Sequence, residues 1–267
     1  MTGRCVGFSV VPIVIALAPG LLVHAQTDAR RWVTTWATSQ QGLDQSRVTN
    51  ATVRMIARVT AGGESIRIRL DNGYGTEPLH IGAASVAHRM RDADLISGTT
   101  RALRFEGNDS VTILPGASVQ SDPVPLAVLA RQDLAVSLYL PGVDVRPSVH
   151  RGALVTSYVS ANSTGNLTGE ETRGGFTESM TSMWWLKAID VLTSSVGGSV
   201  VAFGDSITDG SCATLDAYDR WEDWLAVRFD SKEDADARRA VVNEGIGGNT
   251  VTRENLTPPP NSTAGID

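Results

Sequence analysis

The sequence predicts an α/β chain in two parts: a β-sandwich over residues 28–195, and then the start of a parallel α/β domain over residues 199–267. In the first part, short strand-like segments are separated by turns that contain Gly or Pro, which is typical of sandwiches. In the second part, two short Val-rich runs each lead into a glycine turn, with a helical pattern between them, as in parallel sheets.

Composition and charge are those of a globular protein. A chain of 267 residues that is 42% hydrophobic can hold two domains. The net charge is −6, with both signs scattered and no basic stripe, so we expect no nucleic-acid partner. No cluster of His and Cys stands out, so we predict no metal and no cofactor.

Residues 1–25 have the form of a secretory signal peptide. Arg4 is the only charged side chain in this stretch, and residues 10–23 are mostly apolar. Val23 and Ala25 provide suitable residues for a cleavage site after Ala25. The run is too short for a membrane span, so we expect a secreted or periplasmic protein without a stable membrane anchor. The alternative is that the segment is retained as an anchor.

The region up to residue 195 is predicted to be all-β. Residues 64–70 show the pattern most clearly, because Ile66, Ile68 and Leu70 alternate with polar side chains. Further predicted strands cover 52–59, 84–89, 101–105, 110–114, 134–140, 154–159 and 183–192. The small residues 193–198 are the predicted linker.

Trp184 and Trp185 lie in the last of these predicted strands. They could stack on sugar rings if this domain binds carbohydrate. The simpler interpretation is that adjacent strand residues point to opposite faces, one ring in the core and the other beneath the neighbouring domain.

The first chemical motif is GDSITDG at residues 204–210, directly after the apolar run 200–203. Ser206 would lie outside the carboxyl end of a strand, where open α/β sheets place their chemistry. Its hydroxyl could act as a nucleophile and its N–H could face a substrate oxygen. Taken alone, Gly-Asp-Ser is also compatible with an ordinary turn.

A helix is predicted after this motif. Trp221, Trp224, Leu225 and Phe229 recur at helical spacing, so we expect these side chains to pack on the sheet behind Ser206. The neighbouring acidic residues are interpreted as a solvated helix entry and not as a metal site; they are Asp209, Asp216, Asp219, Glu222 and Asp223.

The second motif is NEGIGGNT at residues 243–250, again after a short apolar run. Its glycines could simply make a flexible loop. Together, however, the two motifs resemble the first two signatures of the SGNH, or GDSL, hydrolases, in the right order and spacing. The resemblance covers residues 199–250 strongly and the earlier chain loosely, where it is closest to the xylan-type acetyl esterases that carry an N-terminal β-domain.

The resemblance implies a flavodoxin-like α/β/α three-layer domain, incomplete in this chain, that hydrolyses carboxylic esters. It implies that Ser206 is the nucleophile and supplies one oxyanion N–H, and that Gly248 supplies the second. Gly204, Asp205 and Asn249 are the supporting residues. The substrate would be a small-molecule or polysaccharide ester with a short acyl or carbohydrate acetyl group.

Two further signatures of the resembled family, Gly-x-Asn and Asp-x-x-His, are not in the sequence. All four histidines precede Ser206: His24, His80, His88 and His150. Nothing in the sequence favours His80, His88 or His150 as a base for Ser206, and each is interpreted as a β-domain side chain. We therefore expect a fragment without turnover of its own, or else a natural truncation that is catalytically dead.

Two other functions stay open at this point. The first is a secreted carbohydrate-binding protein in which the β-domain does the binding and the hydrolase segment is vestigial. The second is a lipase or lysophospholipase of the same superfamily, which ranks lower because no apolar lid is evident in the sequence.

Overall fold

The computed structural model describes residues 1–3 and 30–250, so the predicted signal peptide lies outside the described residues except for its first three positions. The described chain is mostly β. The strands up to residue 113 are β1 Arg31–Ala37, β2 Gly42–Leu43, β3 Ala51–Arg58, β4 Gly63–Asp71, β5 Leu79–Ile81, β6 Ala83–Arg91, β7 Asp94–Leu95, β8 Arg101–Leu103 and β9 Val111–Ile113.

The chain continues with β10 Ser118–Gln120, β11 Val124–Val128, β12 Asp133–Leu140, β13 Ser148–His150, β14 Ser157–Val159, β15 Glu178–Met180, β16 Met183–Trp184, β17 Leu186–Thr193, β18 Ser199–Ala202 and β19 Ala240–Asn243. A 3₁₀ turn covers Arg173–Gly175, and two α-helices follow β18: α1 Ser206–Asp209 and α2 Trp221–Asp230.

Two large antiparallel sheets form most of the β-rich body (residues 31–193), which also contains the small sheet β16-β13-β2 and the pair β5-β9. One has the order β1-β17-β4-β10, with β11 also paired to β4. The other has the order β15-β14-β3-β12-β6-β7, with β8 also paired to β6. Apolar side chains of both sheets, such as Ile68 on β4 and Leu138 on β12, belong to one large core cluster. The predicted β-rich region is thus confirmed.

The alternation read from the sequence explains the central strand β4. Ile66, Ile68 and Leu70 are fully buried, while Arg67 and Arg69 lie on the other side. Both arginines pair with Asp190 on β17, at 3.0 and 3.1 Å. One carboxylate thus offsets part of the positive charge of the two arginines on this face.

The chain after Thr193 changes its pairing. β18 and β19 are parallel, with Val200 opposite Val241 and Val201 opposite Val242. The helix α2 lies between them in sequence. Parallel strands need such a crossover, because a tight turn cannot join them. The predicted pair of parallel strands with a helix between them is thus present.

The parallel pair lies against β1. Val33 on β1 shares an apolar cluster with Ala240, and Ala37 shares another with Val242. The Thr60 hydroxyl accepts a hydrogen bond from Val241 N–H at 3.0 Å. The last segment is therefore attached to the β-rich body through the inner strand β19.

The predicted orientation of α2 is wrong. Trp224 is 59% exposed and Trp221 is also exposed, whereas the buried residues of the helix are Glu222 and Ala226. The reason is geometric: α2 packs against β19, a small side chain at 226 permits close approach, and the described residues provide no layer over the aromatic face.

The tryptophan pair is buried, as the simpler interpretation predicted, but not on opposite faces. Trp184 and Trp185 belong to the same core cluster, with ring centroids 6.1 Å apart in an edge-to-face arrangement. Trp185 has a φ of +59°, which interrupts the strand between β16 and β17 and breaks the alternation. Neither ring offers an open face to a sugar.

Among residues 1–3 and 30–250, no helix is long and apolar enough to cross a membrane.

Candidate functional site

Ser206 lies just beyond the carboxyl end of a parallel strand. β18 ends at Ala202, and Ser206 is the first residue of α1. The Asp205 side chain caps this short helix by accepting a hydrogen bond from Ile207 N–H at 2.9 Å. Ser206 itself is partly exposed. Asp205 thus shapes the turn from which the serine projects.

The two motifs are joined at Gly204. Its carbonyl accepts hydrogen bonds from Ile246 N–H at 3.0 Å and from the Asn249 side chain at 3.3 Å. The supporting residues Gly204 and Asn249, which are 45 positions apart, are therefore direct partners. The motif after β19 closes over the motif after β18.

A second bridge runs through Asn243, the last residue of β19. Its side chain donates to the Thr208 carbonyl at 2.5 Å and accepts from Gly245 N–H at 2.8 Å. A Cβ added at Gly245 would lie only 2.8 Å from Asp209 Cα. Only glycine permits this approach of the two backbones.

The glycine turn reaches Ser206. The Cβ position of Gly247 would lie 4.0 Å from Ser206 Cβ. Gly248 follows with a φ of +79°, in the left-handed region that glycine favours. The turn that carries Gly248 is thus adjacent to the serine.

Asp209 is the central polar contact of the site. Its Oδ2 accepts a hydrogen bond from Gly247 N–H at 2.9 Å, and its Oδ1 lies 3.0 Å from His150 Nε2. His150 is on β13 in the β-rich body and is buried. The interpretation of Asp209 as part of a solvated helix entry is therefore wrong, because its side chain bridges three segments.

Sequence reasoning did not find this pair. His150 and Asp209 are 59 positions apart, and no motif connects them. The only available signal was that Asp209 lies inside GDSITDG, three positions after Ser206. On a helix, residues three apart lie on adjacent parts of one face.

A cavity of about 40 Å³, enough for a few water molecules, lies between α2 and the β-rich body. His150, Asp209, Tyr218 and Glu222 are among its lining residues. Glu222 is only 3% exposed, and neither of its carboxylate oxygens has a hydrogen-bond partner among the described residues. Burial raises the pKa of Glu222 to about 7.

The prediction of a solvated acidic cluster is thus also wrong for Glu222. Asp223 is half-buried and pairs with Arg220 at 3.0 Å. Asp216 and Asp219 are exposed, as predicted, and bond to Thr156 and Thr214. Within the described ranges, no group of three or more His, Cys, Asp or Glu side chains could hold a metal ion.

The other histidines remain in the β-rich body. His80 Nδ1 lies 3.1 Å from the Thr112 hydroxyl, and His88 Nε2 lies 2.9 Å from the Ala127 carbonyl. Among residues 30–250, no side chain is hydrogen-bonded to the Ser206 hydroxyl. The structure brings the turn that carries Gly248 next to Ser206, joins Gly204 to Asn249, and adds the contact of Asp209 with His150.

A scan against models of known protein families finds no match to this chain, and a search of curated proteins finds no significant relative. Any functional proposal therefore depends on the two motifs and on the contacts between them.

Proposed function

We propose that this chain belongs to a secreted or periplasmic serine esterase of the SGNH type. In this proposal residues 1–25 are its signal peptide, residues 28–195 form a β-sandwich accessory domain, and residues 199–267 begin a flavodoxin-like α/β/α catalytic domain. Ser206 is the nucleophile. The N–H groups of Ser206 and Gly248 bind the oxyanion.

One observation carries the proposal: both motifs meet at the same end of a parallel strand pair. Ile246 N–H and the Asn249 side chain bond to the Gly204 carbonyl, and Gly247 lies beside Ser206. A nucleophile and a glycine turn at the carboxyl ends of neighbouring parallel strands are what acyl transfer requires.

The expected chemistry is a two-step ester hydrolysis. Ser206 Oγ attacks the ester carbonyl carbon, and its proton passes to a base. The tetrahedral intermediate then expels the alcohol, which takes up a proton, and leaves an acyl-serine that water hydrolyses. Losing one oxyanion donor typically raises the barrier by roughly 3–4 kcal/mol.

Acyl transfer to Ser206 is the step to test, because no histidine follows Ser206 in the sequence. The 267-residue chain is incubated with p-nitrophenyl acetate, with and without imidazole as an external base. We expect imidazole-dependent acetylation of Ser206, mapped by peptide mass spectrometry. Since the base also serves the deacylation step, we expect little turnover without imidazole.

Ser211 is the matched control, since it is an exposed serine five residues further along the chain. Acetyl groups should be found at Ser206 well above the level at Ser211, and the Ser206→Ala variant should lose the imidazole-dependent signal. Equal labelling of the two serines would contradict a poised nucleophile.

A lipase is the second candidate, and one observation favours it. Ile207, next to the serine, is 72% exposed, and Phe203 is also exposed. An open apolar surface here would suit a longer acyl chain. Faster acylation by p-nitrophenyl octanoate than by the acetate would favour the lipase; the reverse would favour the short-chain esterase.

The carbohydrate-binding alternative receives no support from its two proposed stacking residues, because Trp184 and Trp185 are both buried.

A further inference from the structure

We infer that His150 of the β-rich body is a positioning residue for the proposed hydrolase centre: through Asp209 it holds the glycine turn that carries Gly248 beside Ser206. The inference rests on the proposed function for its catalytic meaning, whereas the contacts themselves can be tested separately.

The first step is the fixation of His150. It lies on β13 between β16 and β2, with Val149 paired to Trp184 and to Gly42. Its Nδ1 is 2.7 Å from the Ser39 carbonyl. The ring is thus held by a strand on one side and by a backbone carbonyl on the other.

The second step concerns which atoms the two ring nitrogens of His150 contact, and in which of these contacts it donates. Its Nδ1 lies 2.7 Å from the Ser39 carbonyl, which can only accept, and 3.2 Å from the Gln41 side-chain nitrogen, which can only donate. An ionised Asp209 side chain also accepts only, so the contact of 3.0 Å assigns a proton to Nε2. His150 therefore donates from Nε2 to a carboxylate, in a charge-assisted hydrogen bond.

The third step is the other side of Asp209. Its second oxygen accepts from Gly247 N–H at 2.9 Å, and the Gln41 amide lies 3.4 Å from the same oxygen. Gly247 has no side chain of its own to hold it in place. A partly buried carboxylate, in contact with a buried histidine, therefore sets the position of the residue before Gly248.

The consequence concerns the oxyanion donors. A donor must lie within about 3 Å of the developing oxyanion, so a displacement of the glycine turn weakens transition-state binding. The His150–Asp209 pair makes this turn depend on the β-rich body, although His150 itself need not touch the substrate.

The test compares two substitutions of nearly equal size. In His150→Gln, the side-chain amide can still donate to Asp209 from the position of Nε2. In His150→Asn, the shorter amide reaches only the position of Nδ1, so the Asp209 contact is lost. Asp209→Ala removes the contact from the other side, and His80→Asn is the control at an exposed histidine whose ring contacts the Thr112 hydroxyl.

The first measurement is amide hydrogen exchange of Gly247 by NMR. We expect exchange to be faster by about tenfold or more in His150→Asn and in Asp209→Ala, because a charge-assisted bond is lost. Exchange should stay close to that of the unchanged chain in His150→Gln and His80→Asn. The amides of β12 report whether each variant is folded.

The second measurement is imidazole-dependent acetylation of Ser206 in the same variants. It should fall in His150→Asn and Asp209→Ala and be largely retained in His150→Gln. The inference is overturned if Gly247 exchanges at the same rate in His150→Asn and in the unchanged chain, or if the Gln and Asn variants behave alike. If exchange changes as expected but Ser206 is never acetylated, the proposed function fails while the link between the two regions stands.

Discussion

The β-rich body (residues 31–193) and the last segment (residues 199–250) bury their apolar side chains to very different extents. In the body, Ile68 and Leu138 are fully buried between two sheets. In the last segment, Val201, Phe203 and Trp224 are all more than half exposed. The body has a core of its own, whereas the few buried apolar side chains of the segment pack against β1.

This difference indicates that contacts with the β-rich body hold the residues of the proposed centre in place. The segment is attached by small apolar clusters around Val33 and Ala37 and by polar contacts such as Thr60 to Val241. Few buried apolar contacts allow local opening at low free energy. The contact from His150 to Asp209 is therefore a polar attachment of a segment that has few buried apolar side chains.

The largest expected effect is on the free energy of unfolding, and it follows from the difference in burial between the body and the segment. Leu138→Ala should lower the free energy of unfolding by about 3 kcal/mol, because it leaves a cavity between the sheets. Val201→Ala, in the exposed strand β18, should change it by no more than about 0.5 kcal/mol. Urea denaturation followed by circular dichroism measures both. Similar losses in the two variants would show that the segment is as well packed as the body.

The next effect is a pH dependence from the cavity between the two regions. Burial raises the pKa of Glu222 from 4.5 to about 7, so the folded state binds a proton that the unfolded state releases. The stability from this group is complete below about pH 4.5 and is lost as the pH rises through about 7. Glu222→Gln should therefore stabilise the chain at pH 8, by roughly 2 kcal/mol once the cost of a buried amide without a partner is subtracted from the effect of the pKa shift.

Glu233→Gln is the matched control, because Glu233 is an exposed glutamate just after α2. Melting temperatures from pH 5 to pH 8 should fall less steeply in Glu222→Gln than in the control. Parallel curves for the two variants would mean that Glu222 is ionised in the folded state at neutral pH.

The smallest effect tests the orientation of α2. Trp224→Ser removes an exposed ring and should change the free energy of unfolding by no more than about 0.5 kcal/mol. Ala226→Ser places a hydroxyl at a buried position and should cost about 1 kcal/mol or more. Thermal denaturation compares them. A larger loss from Trp224→Ser would restore the orientation that the sequence predicts.

Sequence reasoning succeeded where local pattern and final packing agree. The alternation of Ile66, Ile68 and Leu70 predicts β4, and the Val-rich runs predict β18 and β19. It missed β1 Arg31–Ala37. Alternation there is weak, because polar Thr35 is fully buried beside apolar residues.

Sequence reasoning failed where the burial of a side chain depends on which part of the fold packs against it. The periodicity of Trp221, Trp224 and Leu225 predicts a helix. It does not show which face of that helix packs against the rest of the protein. A pattern of residue types also cannot show that His150 and Asp209 meet, since nothing local requires it. The burial of Glu222 follows from the same packing against the β-rich body.

The most direct test of the central claim is whether Ser206 and Gly248 form one oxyanion site. A small alkyl boronic acid, which forms a tetrahedral adduct with a poised serine, is titrated into the ¹⁵N-labelled chain. We expect the amide signals of Ser206 and Gly248 to shift together, and Ser206→Ala to abolish both shifts. Shifts at Ser206 with none at Gly248, or none at either amide, would contradict it.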